Sequence, residues 1–155
     1  MKIHSNTLKG KERRVYMKLL DNIDSIMFAP CGMNCIVCYR HLKPKKSCKG
    51  CLCSDEDKPE HCRKCNIKDC VKVKRITYCF ECGEFPCKQI KNLEKSYIKR
   101  YGISLVKNSE TVRSEGLEFF MLMEKELWTC KKCSGIISLH DSECSECHLK
   151  IRSST

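Results

Sequence analysis

Sixteen cysteines in 155 residues, twelve of them between positions 31 and 87, constrain this chain more than any other feature. The apolar fraction of 41% counts those cysteines, and aromatics make up only 7%. Without cysteine about 31% of the chain is apolar, below the usual share for a globular domain. A chain this short with so few large apolar side chains buries little surface, and such domains rely on disulfides or metals. The opening residues Met1-Lys2-Ile3-His4 run into polar and basic sequence with no apolar signal core, and no run of 18 apolar residues occurs. The expectation is therefore a cytoplasmic protein with no membrane span. In a reducing compartment, cysteine at this density reads as metal ligands.

The formal charge of +11 invites a nucleic-acid reading. It needs discounting, because ligating thiols are deprotonated and a zinc held by four thiolates carries a net −2. Four such sites would bring the chain to about +3. Residues 31–87 hold 12 Lys and Arg against 7 Asp and Glu, a surplus that three thiolate sites would absorb.

The tail carries the clearest motif. Cys130-x-x-Cys133, ten residues, then Cys144-x-x-Cys147 supplies two knuckles able to face each other across a tetrahedral ion. Gly135 is expected to take the positive φ of such a turn. Zinc is favoured, and a rubredoxin-like iron site uses the same spacing class. Cys144-Ser145-Glu146-Cys147-His148 also matches the c-type haem pattern, but the partner knuckle argues against haem.

Cys35-x-x-Cys38, nine residues, Cys48-x-x-Cys51 nearly repeats the tail pattern, and Cys62-x-x-Cys65, thirteen residues, Cys79-x-x-Cys82 is a third module. Cys31, Cys70 and Cys87 remain, with Cys53 or His61 to complete a fourth site. The ligand set is well defined by this arithmetic, whereas its partition is open, since interleaved pairings fit equally well. Cys31, Cys35 and Cys38 have the spacing of a radical S-adenosylmethionine cluster motif, but no alternation of strands and helices follows. Iron–sulfur clusters are the general rival to zinc. The run of closely spaced cysteines that ends in Cys-Pro in bacterial ferredoxins is absent.

Four segments follow from cysteine density and periodicity. Residues 1–30 are expected to carry an amphipathic helix, from Leu8, Val15, Leu19 and Leu20 amid basic residues, ending near Asp21 or Asn22. Residues 31–87 are expected to form the cysteine-rich domain, built from knuckles, tight turns and short helical turns and not from regular elements. Residues 88–127 read as helical, with Pro86 at the first helical position and Ile90, Leu93, Tyr97 and Tyr101 on one face as far as Gly102. A second helix is expected over 105–113, and a third over 117–128. The third, apolar on nearly all sides, is expected to be the buried one. Residues 128–155 form the ribbon module.

From Cys31 to Cys87 the sequence resembles a cysteine-rich family, domain of unknown function 3795. The resemblance rests on Cys31-Gly32 with Cys35 and Cys38, Cys48-x-Gly50-Cys51, His61-Cys62-x-x-Cys65-x-Ile67-x-x-Cys70, and Cys79-x-x-Cys82-x-Glu84-Phe85-Pro86-Cys87. Some members continue into a helical region and a terminal zinc ribbon, and residues 88–147 resemble that extension. The resemblance implies zinc binding and makes His61 the twelfth ligand of this region, with Cys53, the departure from the pattern, a bystander or substitute.

The expected fold is thus a small metal-stapled α+β or irregular chain: a multi-knuckle zinc domain, a helical middle segment and a C-terminal zinc ribbon. About four zinc ions would be held by the sixteen ligands above. Closed four-ligand sites leave no position for a substrate, and no nucleophile–base pair or phosphate loop stands out. The functional expectation is a non-enzymatic interaction module for protein or nucleic acid, with no membrane partner and no small-molecule substrate. Lys43, Lys45, Lys46, Lys49, Arg63, Lys64, Lys72, Lys74 and Arg75, with Tyr39, Tyr78 and Phe80 among them, are the nucleic-acid candidates, though thiolate charge balance is the favoured account of them. The alternatives are an iron–sulfur or rubredoxin-like electron carrier of anaerobic metabolism, and metal handling or thiol redox sensing.

Overall fold

The computed structural model describes residues 25–151, so the expected N-terminal amphipathic helix lies outside the described residues. Residues 25–30 take another role than closing that segment. After a 3-10 turn over Ser25–Met27, Phe28 bridges Asn34 in antiparallel fashion, and Met27, Phe28 and Ala29 are buried. This hairpin-like start presents Cys31, and Cys35 opens a second 3-10 turn over Cys35–Val37, capped by the Asn34 side chain on the Ile36 N–H.

The cysteine-rich stretch is mostly turns, with a one-turn helix α1 (Glu60–Arg63) and a third 3-10 turn over Cys79–Glu81. It also contains a nine-residue helix, α2 (Asn66–Lys74), longer than the short helical turns expected there. Its inward face is Lys68 and Val71, too short an apolar stripe to register as periodicity.

Three helices follow: α3 (Lys88–Tyr101), α4 (Leu105–Glu115) and α5 (Leu117–Leu127). α3 starts after Cys87 as its N-cap, so Pro86 precedes the helix and does not open it. Ile90 is buried, Leu93, Tyr97 and Tyr101 are half-buried, and the helix stops at Gly102 as the sequence indicates. Ser104 caps α4 by accepting from the Lys107 N–H at 3.0 Å. Glu94 of α3 accepts the Leu105 and Val106 N–H groups at 2.6 and 3.1 Å, placing a carboxylate at the positive end of α4. α5 departs from expectation. Phe120 and Met121 are buried, but Phe119, Met123 and Leu127, four residues apart on one face, stand exposed at 46, 45 and 63%.

The main core joins all three described segments. Phe28 packs edge-on against Tyr78 and Phe120, with ring centroids 5.5 and 5.2 Å away. Met33 and Val37 of the cysteine-rich stretch, Leu105 and Val112 of α4, and Leu139 of the ribbon complete the cluster. The Glu124 carboxylate, half-buried beside this core, accepts from Asn34 Nδ2 and Trp128 Nε1 at 3.1 and 3.0 Å.

Gly32 explains how closely the first loop meets α4. Its φ is +96°, and a Cβ there would lie 2.2 Å from the Leu105 carbonyl oxygen and 2.6 Å from Ser109 Oγ. Asn108 Nδ2 donates to the Gly32 carbonyl at 3.0 Å and closes the contact.

The ribbon is a two-stranded antiparallel sheet, β1 (Ile137–Ser138) with β2 (Glu143–Cys144), in the register Ile137 to Cys144. Leu139 N–H donates to the Val37 carbonyl at 2.9 Å and ties the ribbon to the cysteine-rich stretch. His140 sits among the rings of Tyr39, Tyr97 and Tyr101, with centroids 5.1, 6.1 and 5.0 Å away. No described helix is long and apolar enough to cross a membrane.

Candidate metal centre

Each knuckle of the ribbon closes by the same backbone device. Ser134 N–H donates to the Cys130 carbonyl at 2.8 Å, and His148 N–H to the Cys144 carbonyl at 3.1 Å. Ser134 and His148, the residues after the second cysteine of each knuckle, both take left-handed backbone with positive φ.

 Those angles are 63° at Ser134 and 57° at His148, so the two knuckles match in backbone shape as well as in sequence. Gly135 is not the positive-φ residue the sequence suggests. It is required for close approach, since a Cβ there would stand 2.6 Å from Glu146 Cγ and 3.0 Å from the Cys144 sulfur.

The two knuckles bring Cys130, Cys133, Cys144 and Cys147 together with all four sulfurs within 4.8 Å of one another. Cys130 Sγ lies 3.8 Å from Cys147 Sγ, and Cys133 Sγ 3.5 Å from Cys144 Sγ. A tetrahedral ion with metal–sulfur bonds of about 2.3 Å sets its sulfurs about 3.8 Å apart. The spacing is that of a mononuclear four-thiolate site. Gly135 N–H donates to Cys133 Sγ at 3.4 Å, the kind of contact that steadies a ligating sulfur.

The thiols of this group have diverged in acidity. Backbone N–H groups of Cys133 and Lys132 pull Cys130 down to about 7, with burial opposing them. The Gly135 N–H also favours the Cys133 thiolate, yet hydrogen bonds to Cys144 and Cys147 push that thiol up to about 12. Four sulfurs this close cannot all carry charge without a cation between them. The donor set fits a metal ion such as zinc, with Cys130, Cys133, Cys144 and Cys147 filling its four positions.

Among the described residues no other set of three or more Cys, His, Asp or Glu ligand atoms gathers within 4.8 Å. The twelve cysteines of residues 31–87 nevertheless fall into neighbourhoods. The Cys35 thiol is hydrogen-bonded to Cys51, which together with burial raises it. The same bond lowers Cys51 to about 7 against burial, with Lys58 and Lys68 adding to the effect. Burial raises Cys62 to about 12, and the neighbouring thiols that add to this are Cys51, Cys38, Cys48 and Cys65. Cys31 and Cys38 are likewise raised by burial, with Cys51 a neighbour of each. Burial raises Cys79 to about 12, the neighbouring thiols that add to this are Cys87, Cys70, Cys82 and Cys65, and Cys79 in turn adds to the rise at Cys31.

His61 is exposed on α1, whereas Cys53 is half-buried. The Cys53 carbonyl accepts from Lys58 Nζ at 2.7 Å, so its backbone has a structural task whatever its sulfur does. Lys58 is a feature the sequence did not single out. Its side chain is 1% exposed and also reaches the Cys51 carbonyl at 2.9 Å and Asp55 Oδ1 at 3.0 Å. Lys68, 5% exposed, pairs with Asp55 and Asp69 at 3.3 Å. Two cations are therefore packed against the loop that carries Cys51 and Cys53, where thiolate charge would need them.

No curated protein and no solved structure matches the chain. Residues 27–92, the segment that carries Cys31 through Cys87, match the family model described as protein of unknown function, DUF3795.

Proposed function

We propose that this protein is a zinc-stapled, non-enzymatic interaction module. The observation that carries the reading is the group of four ribbon sulfurs, 3.5 and 3.8 Å apart in its two closest measured pairs. That geometry suits one ion held entirely by protein, which leaves no position for substrate or activated water. The same chemistry extends to residues 31–87, where Cys31, Cys35, Cys38, Cys48, Cys51, Cys62, Cys65, Cys70, Cys79, Cys82 and Cys87, with His61, form the remaining ligand set. The inward-facing Lys58 and Lys68 support thiolate charge balance as the main use of the basic surplus.

The partner we favour is another protein. The exposed row of Phe119, Met123 and Leu127 on α5 supports this, since such a helix face suits an apolar surface better than a phosphate backbone. Lys43, Lys45, Lys46 and Lys49 are exposed but flank no exposed aromatic ring on which bases would stack. Elemental analysis after anaerobic purification tests the metal reading, with about four zinc ions per chain expected. Two or fewer zinc ions with substantial iron and sulfide would sink it. Submicromolar binding of single-stranded RNA at physiological salt would overturn the choice of a protein partner.

A further inference from the structure

α2, the Cys79–Glu81 turn and the start of α3 surround a cavity of about 400 Å³. Four cysteines line it: Cys70 from the middle of α2, Cys79 and Cys82 from either end of the turn, and Cys87 from the N-cap of α3. Lys74 and Glu84 stand at its mouth. Lys74 is one helical turn beyond Cys70 and so shares its face of α2. Its Nζ donates to Cys82 Sγ at 3.1 Å and pairs with the Glu84 carboxylate. Val71 and Ile90, both buried, form an apolar wall that limits water on the inner side.

We infer that Cys70, Cys79, Cys82 and Cys87 constitute one thiolate-ligated metal centre, with Lys74 as a positioning residue that donates to the Cys82 sulfur. This rests on the metal-binding reading above and goes beyond it by assigning ligands to a site. The assignment cuts across the sequence modules: Cys62 and Cys65 part from Cys79 and Cys82, and Cys70 and Cys87 gain partners. It also leaves eight ligands between Cys31 and Cys65, enough for two further four-ligand sites. Unlike the ribbon sulfurs, these four are not drawn within 4.8 Å of one another. The space between them admits either a single zinc, after each sulfur swings about its Cα–Cβ bond, or an iron–sulfur cluster. Both are thiophilic centres, and a lysine donor to a ligating sulfur offsets negative charge in either.

The test is metal stoichiometry in the full chain, purified anaerobically. Cys70→Ser and Cys87→Ser should each lose one centre, and the double variant should lose the same one and no more. Cys62→Ser combined with Cys79→Ser should lose two. Loss of two centres from the first pair, or of one from the second, overturns the assignment. Elemental analysis and colour identify the occupant: zinc without visible absorption, or iron with acid-labile sulfide. Either must vanish with these four cysteines together. Should the serine variants fail to fold, Lys74→Met in cadmium-substituted protein keeps every ligand. One all-sulfur cadmium-113 resonance should move, and an unchanged spectrum overturns the inference. A chain that keeps its ribbon zinc but holds nothing at these four cysteines refutes this site alone. A chain with no metal anywhere refutes the wider reading.

Discussion

His140 shows how one side chain acquires an unusual environment. Burial among Tyr39, Tyr97 and Tyr101 holds its imidazole below the usual histidine range; Asp141 opposes this, while the Arg100 and His61 charges reinforce it. A depressed value means that the folded state prefers the neutral ring. The resulting stabilisation is present above the unfolded-state value near 6.5 and is lost as pH falls through the lower folded value. The imidazole resonances of His140 should titrate below those of an unperturbed histidine. Between pH 7.5 and 5.5 the wild type should lose more stability than His140→Phe, in which thiolate protonation is retained as the common background. An ordinary titration midpoint would remove the argument. Gly32 is the second residue-scale test. Gly32→Ala adds a methyl group against the Leu105 carbonyl at a φ of +96°, and should cost about 2–4 kcal/mol in urea denaturation. A loss under about 1 kcal/mol would show that the loop and α4 separate without penalty.

The two faces of α5 should respond differently to substitution. Phe120 is 2% exposed and meets Phe28 edge-on, so Phe120→Ala should destabilise by about 3–5 kcal/mol. Phe119→Ser, at a site 46% exposed, should change stability by no more than about 0.5 kcal/mol. Equal losses at the two positions would mean that the outward row is covered within the chain. With the metal proposed for it, the ribbon is the element that should depend on metal most. Its sheet has two residues per strand, and the core it makes for itself is Cys130, Ile137 and Cys144. Chelation at neutral pH should abolish amide-exchange protection at Ile137 and Cys144, because the proposed metal would supply most of this element's folding energy. Protection that survives chelation would show that docking through Leu139 suffices.

At the scale of the molecule, one core serves all three described segments. Phe28, Val37, Leu105, Phe120 and Leu139 come from a leading turn, the cysteine-rich stretch, two helices and the ribbon. Sequence segmentation suggests that α3, α4 and α5 outlast metal removal, whereas a shared core suggests that they do not. Leu139→Ala should accordingly lower the helical melting midpoint along with that of the ribbon, as a single transition. Two separated transitions, with the helical one unmoved, would indicate independent units. Much of this architecture was legible beforehand. The alternation of cysteine-dense and cysteine-free stretches marks the segments, the periodicity from Ile90 to Tyr101 marks α3, and paired Cys-x-x-Cys spacing marks the ribbon centre. These are local signals: a knuckle needs a fixed number of residues between sulfurs, and a helix face repeats every three or four. Which knuckle joins which sulfur, and why Gly32 and Lys58 are needed, depended on close approach between distant parts of the chain. The sequence by itself determined the ribbon's four-cysteine group and the three helices α3, α4 and α5, because spacing within one turn is enough to specify a knuckle and a helix face. Only the tertiary structure decided the outward row on α5 and the gathering of Cys70, Cys79, Cys82 and Cys87 about one cavity, because helix packing selects which faces meet.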